Sequence, residues 1–286
     1  MSYVFTPEQV CLQGLARMVW EKRGQAKRVG LPFGEETVTE TFLLDLALTY
    51  PGAVTIVPFT KWVEGKNGSD WAWSFESADR AYSYPMMVQA KVLDVLDKDY
   101  GEIKRTVGDS KDRQIDRLIE VAQRLGFPAY YAFYNHLTDL TRVPNNCTSL
   151  QMTNAAPMPE SWGISIADAK EVLGALPDQS FDKHCAHSIP LHCLLCSGGT
   201  GARGPFGTPG RVARQLGMDD GDWPLPGGIP GELPPGVRRG TDPLFDVAGE
   251  AAGIDSLEYR GDLIGRLREK YPGVDGVVIL RDGEKR

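Results

Sequence analysis

The sequence lacks long hydrophobic runs, an excess of basic residues and a dense set of cysteines. No stretch approaches 18 apolar residues, so we expect no membrane-spanning helix. With 31 basic and 38 acidic residues the net charge is −7, which argues against a basic protein that coats nucleic acid. The five cysteines are an odd number, and the N-terminus has no basic start and apolar run typical of a signal peptide. These absences predict a cytoplasmic protein without a disulfide framework.

The composition is that of a globular chain of about two domains. Hydrophobic residues make up 42% and charged residues 24% of the 286 residues. Of the 32 glycines and 20 prolines, 21 fall within residues 198–243, which predicts one long irregular segment. We predict an N-terminal helix (1–30), a core (31–150) and an irregular C-terminal extension (151–286).

Hydrophobic periodicity predicts an α/β protein. The pattern of Thr6, Pro7 and Gln9 is a capping box, so a helix should run to about Arg28 and end before Gly30. The next predicted elements are a helix at 35–50, strands at 53–59, 70–75 and 86–93, a helix at 112–125 and a strand at 128–135. Weaker signals predict a helix capped by Ser165 and ending near Leu176, a helix at 262–271 and a strand at 276–280.

Two polar residues interrupt the apolar strand at 86–93, and both point to the same side. They are Gln89 and Lys91, and burying the lysine ammonium without a partner would be costly. Carboxylates are expected nearby from Asp70, on the strand expected to pair with this one, and from Glu36 and Glu40 on a mostly buried helix. An Asp, a Glu and a Gln oxygen form a set suited to Mg²⁺ or Mn²⁺. A lysine beside such a metal can orient or deprotonate a water for attack on phosphorus.

The pattern of Glu40, Asp70 and Gln89-Ala90-Lys91 resembles the PD-(D/E)XK nuclease superfamily, also called restriction-endonuclease-like. The helix–strand–strand–strand–helix–strand order is similar to the common core of that superfamily. Glutamine before X-Lys resembles the Mrr-like subgroup, and the chain also resembles uncharacterised bacterial proteins with the same motifs. The resemblance covers about residues 31–135.

The resemblance implies metal-dependent hydrolysis of phosphodiester bonds in DNA, with RNA not excluded as a substrate. Asp70 would be the central metal ligand, joined by the Gln89 side-chain oxygen and the Ala90 carbonyl. Glu40 would bind the metal directly or through water, with Glu36 as the alternative one turn earlier. Lys91 would position the water and stabilise developing charge. Family analogy also suggests bacterial defence against foreign DNA.

Two features depart from the family pattern. Gln89 is neutral, so the site holds one carboxylate fewer than the acidic form and could bind metal more weakly. Trp71 and Trp73 are bulky for the family, and we expect them to pack on the far face of the sheet. Two alternatives therefore stay open: a buried Asp70–Lys91 ion pair in an ordinary α/β core, and an inactive nuclease-like fold that binds nucleic acid or a protein.

A second cluster combines histidines and cysteines. Cys193 and Cys196 have the Cys-x-x-Cys spacing of a zinc knuckle. Two further ligands would come from His184, Cys185, His187 and His192, with Cys185 and His187 as our choice. This predicts a structural zinc site in an adaptor whose Gly/Pro-rich segment docks a partner. The alternatives are redox or nucleophilic chemistry of a cysteine and plain core packing, because free cysteines are commonly buried. A homodimer or a protein partner would bind through the C-terminal region.

Overall fold

The computed structural model describes residues 5–59, 71–94, 96, 98–104, 113–144, 158–196, 206–216, 233–254 and 256–282. Its helices are α1 (Pro7–Val29), α2 (Glu35–Thr49), α3 (Gln114–Leu125), α4 (Ala169–Ala175), α5 (Phe181–Cys185), α6 (Gly207–Leu216), α7 (Pro243–Ala252) and α8 (Leu257–Lys270). Its strands are β1 (Val54–Pro58), β2 (Trp71–Glu76), β3 (Tyr82–Val92), β4 (Ala129–Tyr134), β5 (Ile164–Asp168), β6 (Ser188–Pro190), β7 (Arg238–Arg239) and β8 (Gly276–Arg281).

The first helix begins and ends as its sequence predicts. The Thr6 hydroxyl accepts a hydrogen bond from the Gln9 amide at 3.2 Å, and the Gln9 side chain accepts one from the Thr6 amide at 3.0 Å. Gly30 ends the helix with φ at 71°, a conformation that glycine adopts without the strain of a side chain. The capping box and the glycine stop are therefore both confirmed.

The described strands form one mixed sheet in the order β1-β8-β2-β3-β4-β5-β6, with β7 paired to β3. Strand β3 is antiparallel to β2 and parallel to β4. The predicted α/β class and the order α2-β1-β2-β3-α3-β4 are confirmed. The final strand, β8, lies between β1 and β2, so it joins the sheet of the predicted core.

Helices cover both faces of this sheet. One face packs against α1, α2 and α6, and the other against α3, α4, α5, α7 and α8. On the α2 face Trp73 stacks on Phe42, with ring centroids 5.9 Å apart and planes 19° from parallel. Ala72, the next residue on the same strand, belongs to the opposite core. Trp73 therefore packs on the far face from Ala72, as the strand alternation predicts.

Two sequence-based predictions in the C-terminal half were wrong in detail. Ser165 lies inside β5, paired with Phe133 of β4, and the helix begins instead after Asp168. The Asp168 carboxylate accepts hydrogen bonds from two helix amides, so a carboxylate replaces the predicted hydroxyl cap. Part of the Gly/Pro-rich segment is also regular, because it contains α6. Residues 198–205 and 217–232 of that segment lie outside the described residues.

No helix in the described part of the chain is long and apolar enough to cross a membrane. The proposed boundaries at residues 30 and 150 stay predictions. Strands from both sides of residue 150 share the sheet, since β5, β6 and β8 all follow it.

A buried amide links the end of β4 to two other segments. Asn135 accepts a hydrogen bond from the Tyr100 hydroxyl at 2.6 Å and donates to the Trp162 carbonyl at 2.8 Å. Its side chain also donates to the Ser165 hydroxyl at 3.3 Å. A group bonded to several buried partners leaves them unsatisfied when it is removed.

We expect Asn135→Ala to lower the free energy of unfolding by about 2–3 kcal/mol, because it leaves the buried Tyr100 hydroxyl and Trp162 carbonyl without these hydrogen bonds. Tyr100→Phe removes one bond of the same network and should cost about 1 kcal/mol. Urea unfolding measures both changes. A loss for Asn135→Ala no larger than that for Tyr100→Phe would contradict this account of the network.

Candidate active site

The candidate site is built on the C-terminal half of β3. Gln89 and Lys91 alternate with Val88 and Ala90, so their side chains leave the strand on one face. Gln89 is 1% exposed and Lys91 is 2% exposed. Their register partners on β4 are Tyr131 and Phe133. The prediction that both polar residues share one side of a buried central strand is confirmed.

The buried lysine has a carboxylate partner, which is Glu35. The Lys91 ammonium lies 3.2 Å from each Glu35 carboxylate oxygen. The lysine side chain is 3% exposed and the glutamate side chain 26%, so the pair reaches from the core to the molecular surface. Removing Glu35 would leave the Lys91 ammonium without this contact in a poorly solvated place.

The N-terminal end of α2 positions Glu35. The helix begins at this residue, directly after Gly34. One turn further on, the Thr39 hydroxyl lies 2.9 Å from the Tyr134 hydroxyl, which ties this end of α2 to β4. Glu35 is therefore fixed next to the strand end where Lys91 lies.

Arg23 of α1 holds together the two chain segments that carry Glu35 and Lys91. Its guanidinium donates to the Phe33 carbonyl at 2.8 Å and also to the Leu93 carbonyl. One arginine thus connects the segment before α2 to the segment after β3. Although it lies in a basic stretch of α1, Arg23 is only 9% exposed. It is a positioning residue for the Lys91–Glu35 pair.

The amide oxygen of Gln89 is buried and has no hydrogen-bond partner among the described residues. A buried carbonyl oxygen without a partner costs free energy, so such an atom calls for a ligand, a water or an ion. The prediction that this oxygen contributes to a cation site fits that observation. Ala90 lies between the two polar residues, and its side chain belongs to the core on the α2 face.

The acidic residues predicted for the site on α2, Glu36 and Glu40, are not the ones that contact Lys91. Glu36 and Glu40 are both exposed, because the buried face of α2 carries Val38, Thr39 and Phe42 instead. The carboxylate that meets Lys91 is the neighbouring Glu35, which sequence reasoning missed. The available signal was helical spacing, since Glu35 precedes Thr39 by four residues and Phe42 by seven, and both are buried.

Asp70 lies outside the described residues. The next residue, Trp71, pairs with Val88, which directly precedes Gln89. Asp70 therefore directly precedes in sequence a residue that pairs beside the candidate site. Its role as the central metal ligand stays a prediction.

The predicted zinc ligands make two separate sets of contacts. Cys193 Sγ lies 3.7 Å from His192 Nε2, and Cys196 accepts a hydrogen bond from the Gln9 side chain at 3.3 Å. His184 Nδ1 and His187 Nε2 lie 3.2 Å apart. Among the described residues, no group of three or more His, Cys, Asp and Glu side chains is arranged to hold a metal ion.

Burial shifts the pKa values of the histidines and cysteines predicted to bind zinc. It raises the pKa of the Cys185 thiol to about 12, with the Asp182 carboxylate adding to the effect. Burial lowers the pKa of His184 to about 4, and the neighbouring His187 lowers it further. Neutral imidazoles suit metal binding, but a thiol with a raised pKa must lose its proton to become a ligand. Zinc at this cluster stays a prediction, which metal analysis of the purified protein tests.

Fold and site together define an α/β protein with a buried lysine–glutamate pair on a central strand. Beside that pair lies an amide oxygen that has no hydrogen-bond partner in the described part of the chain. Residues 8–271 match a family of unknown function, DUF6615. The chain therefore belongs to that family. No curated protein and no solved structure matches the chain.

Proposed function

We propose that this protein is a metal-dependent nuclease that hydrolyses phosphodiester bonds of DNA at the Gln89–Lys91 segment of β3. The restriction-endonuclease-like core, the Mg²⁺ or Mn²⁺ cofactor and the role in defence against foreign DNA belong to the same proposal. The cytoplasm is the compartment in which such an enzyme would meet its substrate.

One observation carries the proposal: Lys91, with its ammonium on the Glu35 carboxylate, shares a strand face with Gln89, whose buried amide oxygen finds no hydrogen-bond partner within the described ranges. A structural ion pair alone would account for the lysine and the glutamate. It would not explain why the Gln89 oxygen is buried without a hydrogen-bond partner among the described residues. A cation bound by that oxygen accounts for both features.

The residues present fit a hard divalent cation, because the buried amide oxygen is a suitable ligand and two carboxylates belong to its surroundings. Glu35 contacts Lys91, two residues along the strand, and Asp70 directly precedes in sequence the residue that pairs with Val88. Gln89 would hold the metal together with Asp70, and Glu35 would take the place predicted for Glu40. A bound Mg²⁺ or Mn²⁺ supplies a water of lowered pKa and screens charge on the leaving oxygen.

The chain's own groups do the rest. Lys91 can donate a hydrogen bond to the attacking water or to a non-bridging phosphate oxygen, where negative charge develops. Its Glu35 contact keeps the ammonium in place before substrate arrives. Because the lysine is almost fully buried, its charge is less screened than that of a surface lysine.

Cleavage assays test the proposal directly. Purified protein is incubated with plasmid DNA, single-stranded DNA and RNA in Mg²⁺, in Mn²⁺ and in EDTA. We expect DNA cleavage in either metal and none in EDTA. Binding of DNA without cleavage in any metal would favour the inactive binding module, and cleavage in EDTA would contradict metal dependence.

The identity of the carboxylate gives a further prediction. We expect Glu35→Gln to slow DNA cleavage at least about tenfold, because it removes the charge that holds the Lys91 ammonium. Glu36→Gln and Glu40→Gln change exposed side chains and should slow cleavage much less. Initial rates of plasmid nicking compare the three. A larger loss from Glu40→Gln than from Glu35→Gln would restore the sequence-based assignment.

A further inference from the structure

A cavity lies between α1, α2 and the sheet, away from the candidate nuclease site. It measures about 110 Å³, and its lining is mainly apolar. Leu12, Leu46, Phe75, Leu195 and Leu280 contribute from α1, α2, β2, the turn before Cys196 and β8. An apolar cavity of roughly 150 Å³ can hold a benzene ring, so this space is close to the size of one ring.

One carboxylate oxygen at this cavity has no hydrogen-bond partner among the residues that the structure describes. Glu8, in the first turn of α1, lines the space, and its Oε2 atom is buried without a hydrogen bond among the described residues. The helix dipole favours a negative charge in the first turn of α1, where Glu8 lies. A buried carboxylate oxygen that faces a cavity is suited to an ammonium group.

The other charged residues of the lining are already paired. Arg281 donates to the Glu76 carboxylate at 3.0 and 2.8 Å. Asp282 accepts a hydrogen bond from the Thr208 amide at 3.0 Å, and its carboxylate lies 3.6 Å from the Arg211 guanidinium. Glu8 therefore supplies the uncompensated charge of the described lining.

The same charge acts on two neighbours in the lining. Burial raises the pKa of the Cys11 thiol to about 11, and the Glu8 charge adds to the effect. The pKa of the Tyr50 hydroxyl is raised mainly by burial, and the charges of Cys11 and Glu8 add smaller effects. The cavity thus presents the Glu8 carboxylate beside the Cys11 thiol, the Tyr50 hydroxyl and aliphatic side chains, while the charges of Arg281 and Asp282 are already paired.

We propose that this cavity binds a small organic cation, with the ammonium on Glu8 and an apolar body of about one ring in the space lined by Leu46 and Leu195. A neutral hydroxyl could donate only a weaker hydrogen bond to the Glu8 oxygen than an ammonium would, and an anion would be repelled by it. Binding at this cavity is independent of the proposed nuclease chemistry.

Isothermal titration calorimetry of the full chain tests the proposal with three probes of one shape: benzylammonium, benzyl alcohol and benzoate. We expect benzylammonium to bind about tenfold more tightly than benzyl alcohol, since a charge-assisted hydrogen bond adds to the same apolar contact. Benzoate should bind most weakly. Equal affinities for the ammonium and the alcohol, tighter binding of benzoate, or no binding of any probe would overturn the proposal.

Variants locate the site. Glu8→Gln should remove the preference for benzylammonium while leaving benzyl alcohol binding unchanged. Glu258→Gln is the matched control, because Glu258 is also a first-turn glutamate but is exposed on α8. Cys11→Phe fills the cavity and should weaken both probes. A preference that survives Glu8→Gln, or that Glu258→Gln removes, would contradict the assignment of Glu8.

Discussion

Lys91→Ala is expected to reduce metal-dependent DNA cleavage by at least about 100-fold, the usual scale for losing a group that acts on the reacting atoms. The variant removes the ammonium that lies 3.2 Å from both Glu35 oxygens. It leaves the Glu35 side chain, 26% exposed, able to reach solvent. The fold should therefore survive, and circular dichroism with thermal unfolding checks this before the initial rates are compared.

Lys98→Ala is the matched control for this loss. Lys98 lies a few residues beyond the end of β3, and its side chain is exposed. Removing it changes the net charge by the same amount without touching the Lys91–Glu35 pair. We expect a cleavage rate close to that of the wild type. A folded Lys91→Ala protein that cleaves as fast as Lys98→Ala would show that Lys91 is structural.

Gly163→Ala is expected to lower the free energy of unfolding by about 3 kcal/mol or more, at the upper end of what overpacking costs. A Cβ atom at this position would overlap the carbonyl oxygen of Ala16 and lie 2.9 Å from the Trp20 amide nitrogen. Both atoms belong to the backbone of α1 and cannot turn aside as a side chain can. The helix would have to move away from the sheet, which urea unfolding would detect.

Gly174→Ala is the opposite case and serves as the control. Gly174 lies in α4, is exposed, and has no atom within 4 Å of the position that a Cβ would take. Alanine at such a helix position should stabilise the fold by about 0.5–1 kcal/mol. If Gly163→Ala is as well tolerated as Gly174→Ala, then α1 does not pack on the 159–163 turn as closely as described.

Local patterns predicted much of the fold because they are governed by neighbours in sequence. The capping box of Thr6 and Gln9, the glycine stop at Gly30 and the apolar run of β3 all act over a few residues. The shared face of Gln89 and Lys91 follows from strand alternation alone. These features depend on the backbone period and on hydrogen bonds within one element.

Long-range packing explains what could not be predicted. The position of β8 between β1 and β2 depends on how distant segments meet, and no local pattern encodes it. The choice of Glu35 over Glu36 depends on the rotation of α2 about its axis. Leu44 and Leu48 are apolar but exposed, so the apolar residues did not define the buried face of this helix. The pairing of Lys91 with a carboxylate was predictable in kind, and the identity of the carboxylate was not.

Plasmid nicking in Mg²⁺ by wild type and by Asp70→Ala, with an EDTA control, tests the central claim most directly. The claim is that the face of β3 bearing Gln89 and Lys91 works with Asp70 in metal-dependent hydrolysis. The account predicts nicking by the wild type that is lost in EDTA and lost in Asp70→Ala. Nicking that persists in EDTA, or that Asp70→Ala retains at the wild-type rate, would contradict it.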